Sequence, residues 1–220
     1  MTSFSRVATG FALVLLALGA SLSTRAASDN PVPQPGDVVA GPSASGSGAQ
    51  FRFIIATGSV GFDIPGNWPT VAMQPRPPIA VAAFQIPNPA DAGSSDSTNV
   101  AVTVFDLADA KGRTARSNVG RSYGPNPPTT SEYHGWTVYR QEAVQGSTTY
   151  TLLDAARNFP ALNAAAAMRL AWPHLASNSE NYDATMDTLY RSMLDSVSTA
   201  PGTYSPGPRE VVRRLQPETH

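Results

Sequence analysis

The clearest periodicity in the chain is at Val100, Val102 and Val104, which alternate with Ala101, Thr103 and Phe105. A period of two with apolar side chains on both faces predicts a strand in the interior of a sheet rather than at its edge. Weaker signals of the same kind predict strands over Ile79 to Ile86, Trp136 to Arg140, Tyr150 to Ala155 and Ala166 to Trp172. Gln145, Gly146 and Ser147 lie between two of these and suit a hairpin turn. A different period follows near the end. Tyr182, Met186, Leu189, Tyr190, Met193, Leu194 and Val197 recur at three-to-four spacing, while Asp183, Asp187, Arg191 and Asp195 mark the other side. This predicts an amphipathic helix from Glu180 to Val197, opened by a capping box of Ser177 and Glu180. A second helix is predicted over about 108–123, where Lys111, Arg113, Arg116 and Arg121 form a basic face and Gly112 and Gly120 weaken it.

The order of strands, helix, more strands and a closing helix predicts an α/β domain of the α+β kind. Few crossover helices are available for parallel pairing, so the sheet is expected to be largely antiparallel, with helices covering its faces.

The ends of the chain read differently. A polar head with one positive charge, Met1 to Arg6, precedes the apolar run Val7 to Leu22 and then Ser23-Thr24-Arg25-Ala26, the order of a secretory signal peptide. Thr24 and Ala26 are small enough to flank a cut after Ala26; the alternative, a retained anchor, would need a longer apolar run. Residues 27–50 are rich in Pro, Gly, Ser and Ala and read as a flexible linker, and a similar composition from 201 onward reads as a flexible tail with a short helix over Arg209 to Leu215. The expected division is therefore a signal peptide at 1–26, a linker at 27–50, a folded domain at 51–200 and a tail at 201–220.

Composition narrows the chemistry. The chain has no cysteine, which rules out disulfides, zinc-thiolate sites and thiol nucleophiles and leaves stability to the size of the core. An exported, cysteine-free chain suits a bacterial periplasm, with the extracellular space as the other destination. Loss of Arg6 and Arg25 with the leader leaves 13 basic and 16 acidic residues. Such a balance does not favour a phosphate-binding surface, so nucleic acid is not an expected partner. Nor is a membrane-spanning segment expected in the mature chain.

Several local phrases carry a resemblance. Phe62-Asp63-Ile64-Pro65-Gly66-Asn67-Trp68, Asn99 to Leu107, Gly135 to Tyr139 and Tyr182 to Val197 together resemble the PsbP/Mog1-like group, including its bacterial exported, DcrB-like members. The resemblance implies an α/β/α sandwich around an antiparallel sheet, used mostly to bind other proteins.

No G-x-S-x-G elbow, phosphate loop, dinucleotide-binding turn, H-E-x-x-H pair or calcium loop occurs, so neither an enzyme nor a cofactor is expected. Glu132 and His134, two apart, could share a strand face and act as metal ligands or an acid–base pair, but the ordinary expectation for them is an exposed turn. His174, after Trp172 and Pro173, is either a cleft histidine or a loop residue. Trp68, Trp136 and Trp172 are expected mainly in packing roles, although tryptophan is also enriched at binding hot spots. The residues of a partner-binding surface, if the sequence marks one, are Trp68, His134, Trp136, Trp172 and His174. The leading expectation is an exported, non-catalytic protein-binding or accessory domain. The alternatives are an inhibitor or immunity protein against a toxin aimed at the cell envelope, and a metal-assisted hydrolase built on Glu132, His134 and His174.

Overall fold

The computed structural model describes residues 31–43, 46, 48–65, 68, 70–76, 79–86, 98–107, 114–124, 128–174 and 181–213. The expected leader at 1–26 lies outside the described residues, as do Ser177 and Glu180 of the expected capping box.

Two antiparallel sheets hold most of the described chain. The first is made of β1 (Val38–Pro42), β2 (Gly48–Ile55), β3 (Gly58–Pro65), β11 (Ser198–Pro201) and β12 (Val211–Arg213), in the order β11-β3-β2-β1-β12. The second runs β4-β5-β6-β10-β9-β8-β7 and contains β4 (Thr70–Arg76), β5 (Ile79–Ile86), β6 (Thr98–Asp106), β7 (Thr130–Tyr133), β8 (Trp136–Gln145), β9 (Thr148–Phe159) and β10 (Ala164–Pro173). Two helices accompany them, α1 (Ala115–Ser122) and α2 (Tyr182–Asp195).

Alternation fixes what each face meets. On the seven-stranded sheet Val100, Val102 and Val104 share one face with Leu153, Ala155, Met168, Leu170 and Trp172, which pair across the strands in register. That face packs on the first sheet, where Phe51 meets Phe84 edge-on at 4.6 Å and Phe62 lies 6.1 Å from Trp136. It is shared by α2, which buries Tyr182, Met186, Tyr190, Met193 and Leu194 in the same core. Burying side chains of this size stabilises by about 1.5–3 kcal/mol each as an upper bound. Three polar contacts fix the helix in place. Tyr190 donates to the Met168 carbonyl at 2.8 Å, Trp136 Nε1 to the Leu194 carbonyl at 3.2 Å, and Trp172 Nε1 to Asp183 Oδ1 at 2.6 Å. The opposite face of the sheet is met by α1, whose Ala115 and Val119 pack on Phe105, Tyr139, Ala156 and Ala165.

The expected α+β class and largely antiparallel pairing therefore hold, but the fold is dominated by sheet, and the layer expected to be helical is shared with a second sheet. Part of that sheet, all of β1 and the start of β2, comes from residues assigned to a linker. Val38 and Val39 are buried in β1, and β2 begins at Gly48, so the expected boundary at residue 50 falls inside a strand. Proline and glycine around these residues mask a strand whose apolar content is short. The tail differs as well. A strand over Ser198–Pro201 crosses the expected boundary at 200 and lies beside β3, and Val211–Arg213 pairs antiparallel with β1 where a short helix was expected. Two adjacent β-branched valines suit a strand edge better than a helix turn.

Each sheet also carries an arginine held against one face, Arg52 buried and Arg169 half-buried. On the α1 side of the large sheet Arg169 binds Asp154 through both nitrogens, Nε to Oδ1 at 2.7 Å and Nη2 to Oδ2 at 2.6 Å, and the Tyr123 hydroxyl donates to the same carboxylate. Burial, then the neighbouring Asp154 charge, pushes the Tyr123 phenol well above its ordinary range. On the outer side of the small sheet Arg52 reaches Ser59 Oγ at 3.1 Å, Gln50 Oε1 at 2.9 Å and Ser198 Oγ at 3.1 Å, with the Tyr204 ring 4.9 Å from its guanidinium carbon. Gly61 stands opposite Arg52 across the strands, and a Cβ there would come within 3.0 Å of its Nη2 and 2.9 Å of Ser198 Oγ. The missing side chain is what lets the guanidinium lie across β3.

Candidate functional site

A cleft of about 270 Å³ opens where the first sheet meets the C-terminal half of α2. Its floor is apolar, from Ile64, Pro65, Leu189 and Met193, and its rim carries Ser43, Asp63, Ser192 and Ser196. The local sequence explains the shape. Ser43 follows β1 and Gly48 opens β2, β3 ends at Pro65, and α2 with its C-cap presents Leu189, Ser192, Met193 and Ser196 at the three-to-four spacing of one helix face.

The rim is held by hydrogen bonds. Ser43 Oγ donates to Asp63 Oδ2 at 2.6 Å, and Gln50 Nε2 donates to Oδ1 at 3.1 Å, so both carboxylate oxygens accept from neighbours. The Asp63 N–H donates to Ser196 Oγ at 2.9 Å, and that hydroxyl donates in turn to the Met193 carbonyl at 2.7 Å. The end of the helix is thereby pinned to β3, and Ser192 remains as the exposed hydroxyl on the helix side of the recess. A fixed recess with an apolar floor and hydroxyl groups above it suits one small apolar side chain flanked by hydrogen-bonding backbone.

The residues marked by the sequence fall elsewhere. Trp136 and Trp172 are completely buried and Trp68 is 8% exposed, so none of them offers a binding surface; they pack in the core, and two of them anchor α2. His134 sits at the tip of the β7–β8 hairpin with φ 46°, followed by Gly135 with φ 83°. Two positive φ values in a two-residue connection make the type I′ turn that matches strand twist. The exposed His134 ring stacks on Tyr133 and approaches Asp195 Oδ1 to 2.6 Å, and the Tyr133 hydroxyl donates to Asp195 Oδ2 at 2.7 Å. The Tyr133 hydrogen bond, then the one from His134, holds the Asp195 carboxyl below its ordinary value. Glu132 accepts from Thr137 Oγ1 at 3.0 Å.

His174 is at the other end of the sheet. Its Nε2 lies 2.6 Å from Thr151 Oγ1, and its N–H donates to the Thr149 carbonyl. Thr151 faces Glu142 across the strands, whereas Thr137 faces Ala156. The two histidines are thus separated by at least five residues of β9, about 17 Å at the rise of a strand. They do not converge with Glu132, and among the described residues no cluster of three or more acidic or histidine side chains could hold a metal. Among the same residues no helix is long and apolar enough to cross a membrane.

The cleft itself was not anticipated. The sequence had placed Leu189 and Met193 of its lining on the apolar face of the closing helix, whereas Ser43 and Gly48 lie in the stretch read as linker.

No family model and no curated protein matches the chain. A crystal structure of a protein from Bacteroides thetaiotaomicron VPI-5482 aligns with 64% of this chain and 45% of that one, at a TM-score of 0.40 and 11% identity. The chain thus spans less than half of that protein's length, and a likeness this distant carries no argument.

Proposed function

We propose that this chain is an exported, non-catalytic binding protein of the bacterial periplasm that grips a protruding segment of another protein in the cleft beside α2. The observation that carries the reading is the cleft, whose walls are fixed by the Ser43–Asp63 and Asp63–Ser196 hydrogen bonds and whose floor is apolar. Preorganised walls lower the ordering cost of binding. The leader-like composition of residues 1–26 supports export, and the closing helix over an antiparallel sheet supports kinship with the PsbP/Mog1-like sandwich.

The test is capture from envelope extract with the mature chain as bait. Wild type should retain one stoichiometric protein, Ser192→Trp should lose it by filling the recess, and Thr188→Ala on the same helix should keep it. Equal capture by Ser192→Trp would sink the reading. So would turnover of an envelope polymer that His134→Ala abolishes.

A further inference from the structure

We propose that the outer edge of β8, from Arg140 to Gln145, is a second binding surface, which accepts an extended strand of another protein by antiparallel addition to the large sheet. The edge is open because β7 is short. It pairs only with Trp136 to Tyr139, whereas β8 continues alongside β9 as far as Gln145. Past Tyr139, no strand among the described residues pairs with the outer side of β8.

Hairpin geometry says which backbone groups are on offer. Tyr133 and Trp136 close one two-residue turn, and Gln145 and Thr148 close another. The pair that closes such a turn exchanges hydrogen bonds, and bonded pairs alternate along an antiparallel ladder. Odd-numbered residues of β8 therefore bond toward β9, and even-numbered ones bond outward. Trp136 and Val138 spend theirs on β7, which leaves the N–H and C=O groups of Arg140, Glu142 and Val144 facing away from the sheet.

The side chains of the same three residues decide the occupant. Arg140, Glu142 and Val144 lie on one face of the strand, all exposed, with Val144 at 73% one of the large apolar side chains most open to water. On that face Glu142 pairs with Thr151 and Val144 with Thr149, while Arg140 pairs with Leu153 and sets its guanidinium carbon 5.7 Å from the Trp172 ring, so the charged groups of Arg140 and Glu142 stand over unlike neighbours. Charges on an edge discourage indiscriminate pairing. Here the two signs alternate, which selects a partner strand reading apolar, basic, acidic at every second position along its own direction. Directly opposed residues of opposite charge stabilise such pairs and like charges destabilise them. A second copy of this chain fits poorly. Registers that keep faces and hydrogen bonds matched set Glu142 against its own copy, set it against Val144, or drive the copy's hairpin tip into β7.

The probe is the peptide acetyl-Thr-Val-Thr-Lys-Thr-Glu-Thr-amide, titrated into the full chain while backbone amide signals are followed by NMR. The amides of Arg140, Glu142 and Val144 should shift and exchange more slowly, and the peptide with Lys and Glu exchanged should bind about fivefold more weakly or worse. Glu142→Pro removes an outward donor without breaking a bond to β9, and should abolish the shifts. Glu142→Lys preserves the donor and should weaken binding by a similar factor. Ser192→Trp, which blocks the cleft, should leave peptide binding unchanged, so failure here and failure of the cleft reading are told apart. Shifts confined to other residues, or binding indifferent to both Glu142 variants, would overturn the proposal. Concentration-dependent dimerisation lost in Glu142→Pro would overturn it too, by giving the edge to a second copy.

Discussion

The two arginines held against the sheets solve one problem in different ways. Arg169 meets a carboxylate of its own, Asp154, in a bidentate pair, while about a third of its side chain still reaches water. Arg52 is 9% exposed and is held by two serine hydroxyls, an amide oxygen and an aromatic face. Its Nε has no hydrogen-bond partner among the described residues. Beyond Tyr204 stands Glu210, which accepts the Tyr204 hydroxyl at 2.7 Å and the Gly207 N–H at 2.6 Å. Burial, then that hydrogen bond, raises the Tyr204 phenol above its ordinary value. A direct ion pair makes one residue indispensable. A neutral cradle spreads the same task over several, and depends more on shape than on charge.

The largest effect should follow from breaking the pair. Asp154→Ala strands a half-buried cation and removes the acceptor of Tyr123, and should cost about 2–3 kcal/mol, at the low end for a broken buried pair because Arg169 is partly solvated. Denaturant unfolding measures it; a loss under about 0.5 kcal/mol would mean that water replaces the carboxylate. Next comes the cradle. Gly61→Ala pushes a methyl into the guanidinium and should cost about 1–3 kcal/mol. In an Arg52→Met background the penalty should shrink, since the shorter, unbranched side chain can move aside. Additive costs would mean that the close approach is incidental.

The smallest effect marks the solvated extreme of the series, His134 with Asp195. The folded-state pKa of Asp195 is lowered, so its contribution is present above the unfolded value and is lost as pH falls through the folded one, below about pH 4. Asp195→Asn should flatten the acid limb of the stability profile there and leave neutral pH nearly unchanged, as expected for an exposed pair. A marked loss at pH 7 would show the hairpin contact to be structural.

Much of the large sheet was legible because its strands alternate cleanly. Ile79 to Ile86 matches β5 end to end, the turn at Gly146 and Ser147 lies where its composition put it, and the closing helix departs from expectation by two residues at each end. The first sheet was not legible. Its strands interrupt their apolar residues with Gly, Ser and Pro, and two of its pairings join strands more than a hundred residues apart, which no local pattern records. The tryptophans and histidines stood out by chemical type, yet type does not reveal burial. The serines and the aspartate that frame the cleft are common surface residues, brought together only by the meeting of β3 with the end of α2.

The pairing of β1 with β12 has a consequence for how the molecule is made. Val38 to Ala40 lie opposite Val211 to Arg213, with β11 sealing the far side of the same sheet. A chain emerging with its amino end first cannot finish this sheet until Val211–Arg213 has emerged. Closure over such long sequence separations is slow. Until then β1, β2 and β3 wait with their outer edges bare, a period in which a chaperone, rather than the fold, must keep them from neighbouring chains.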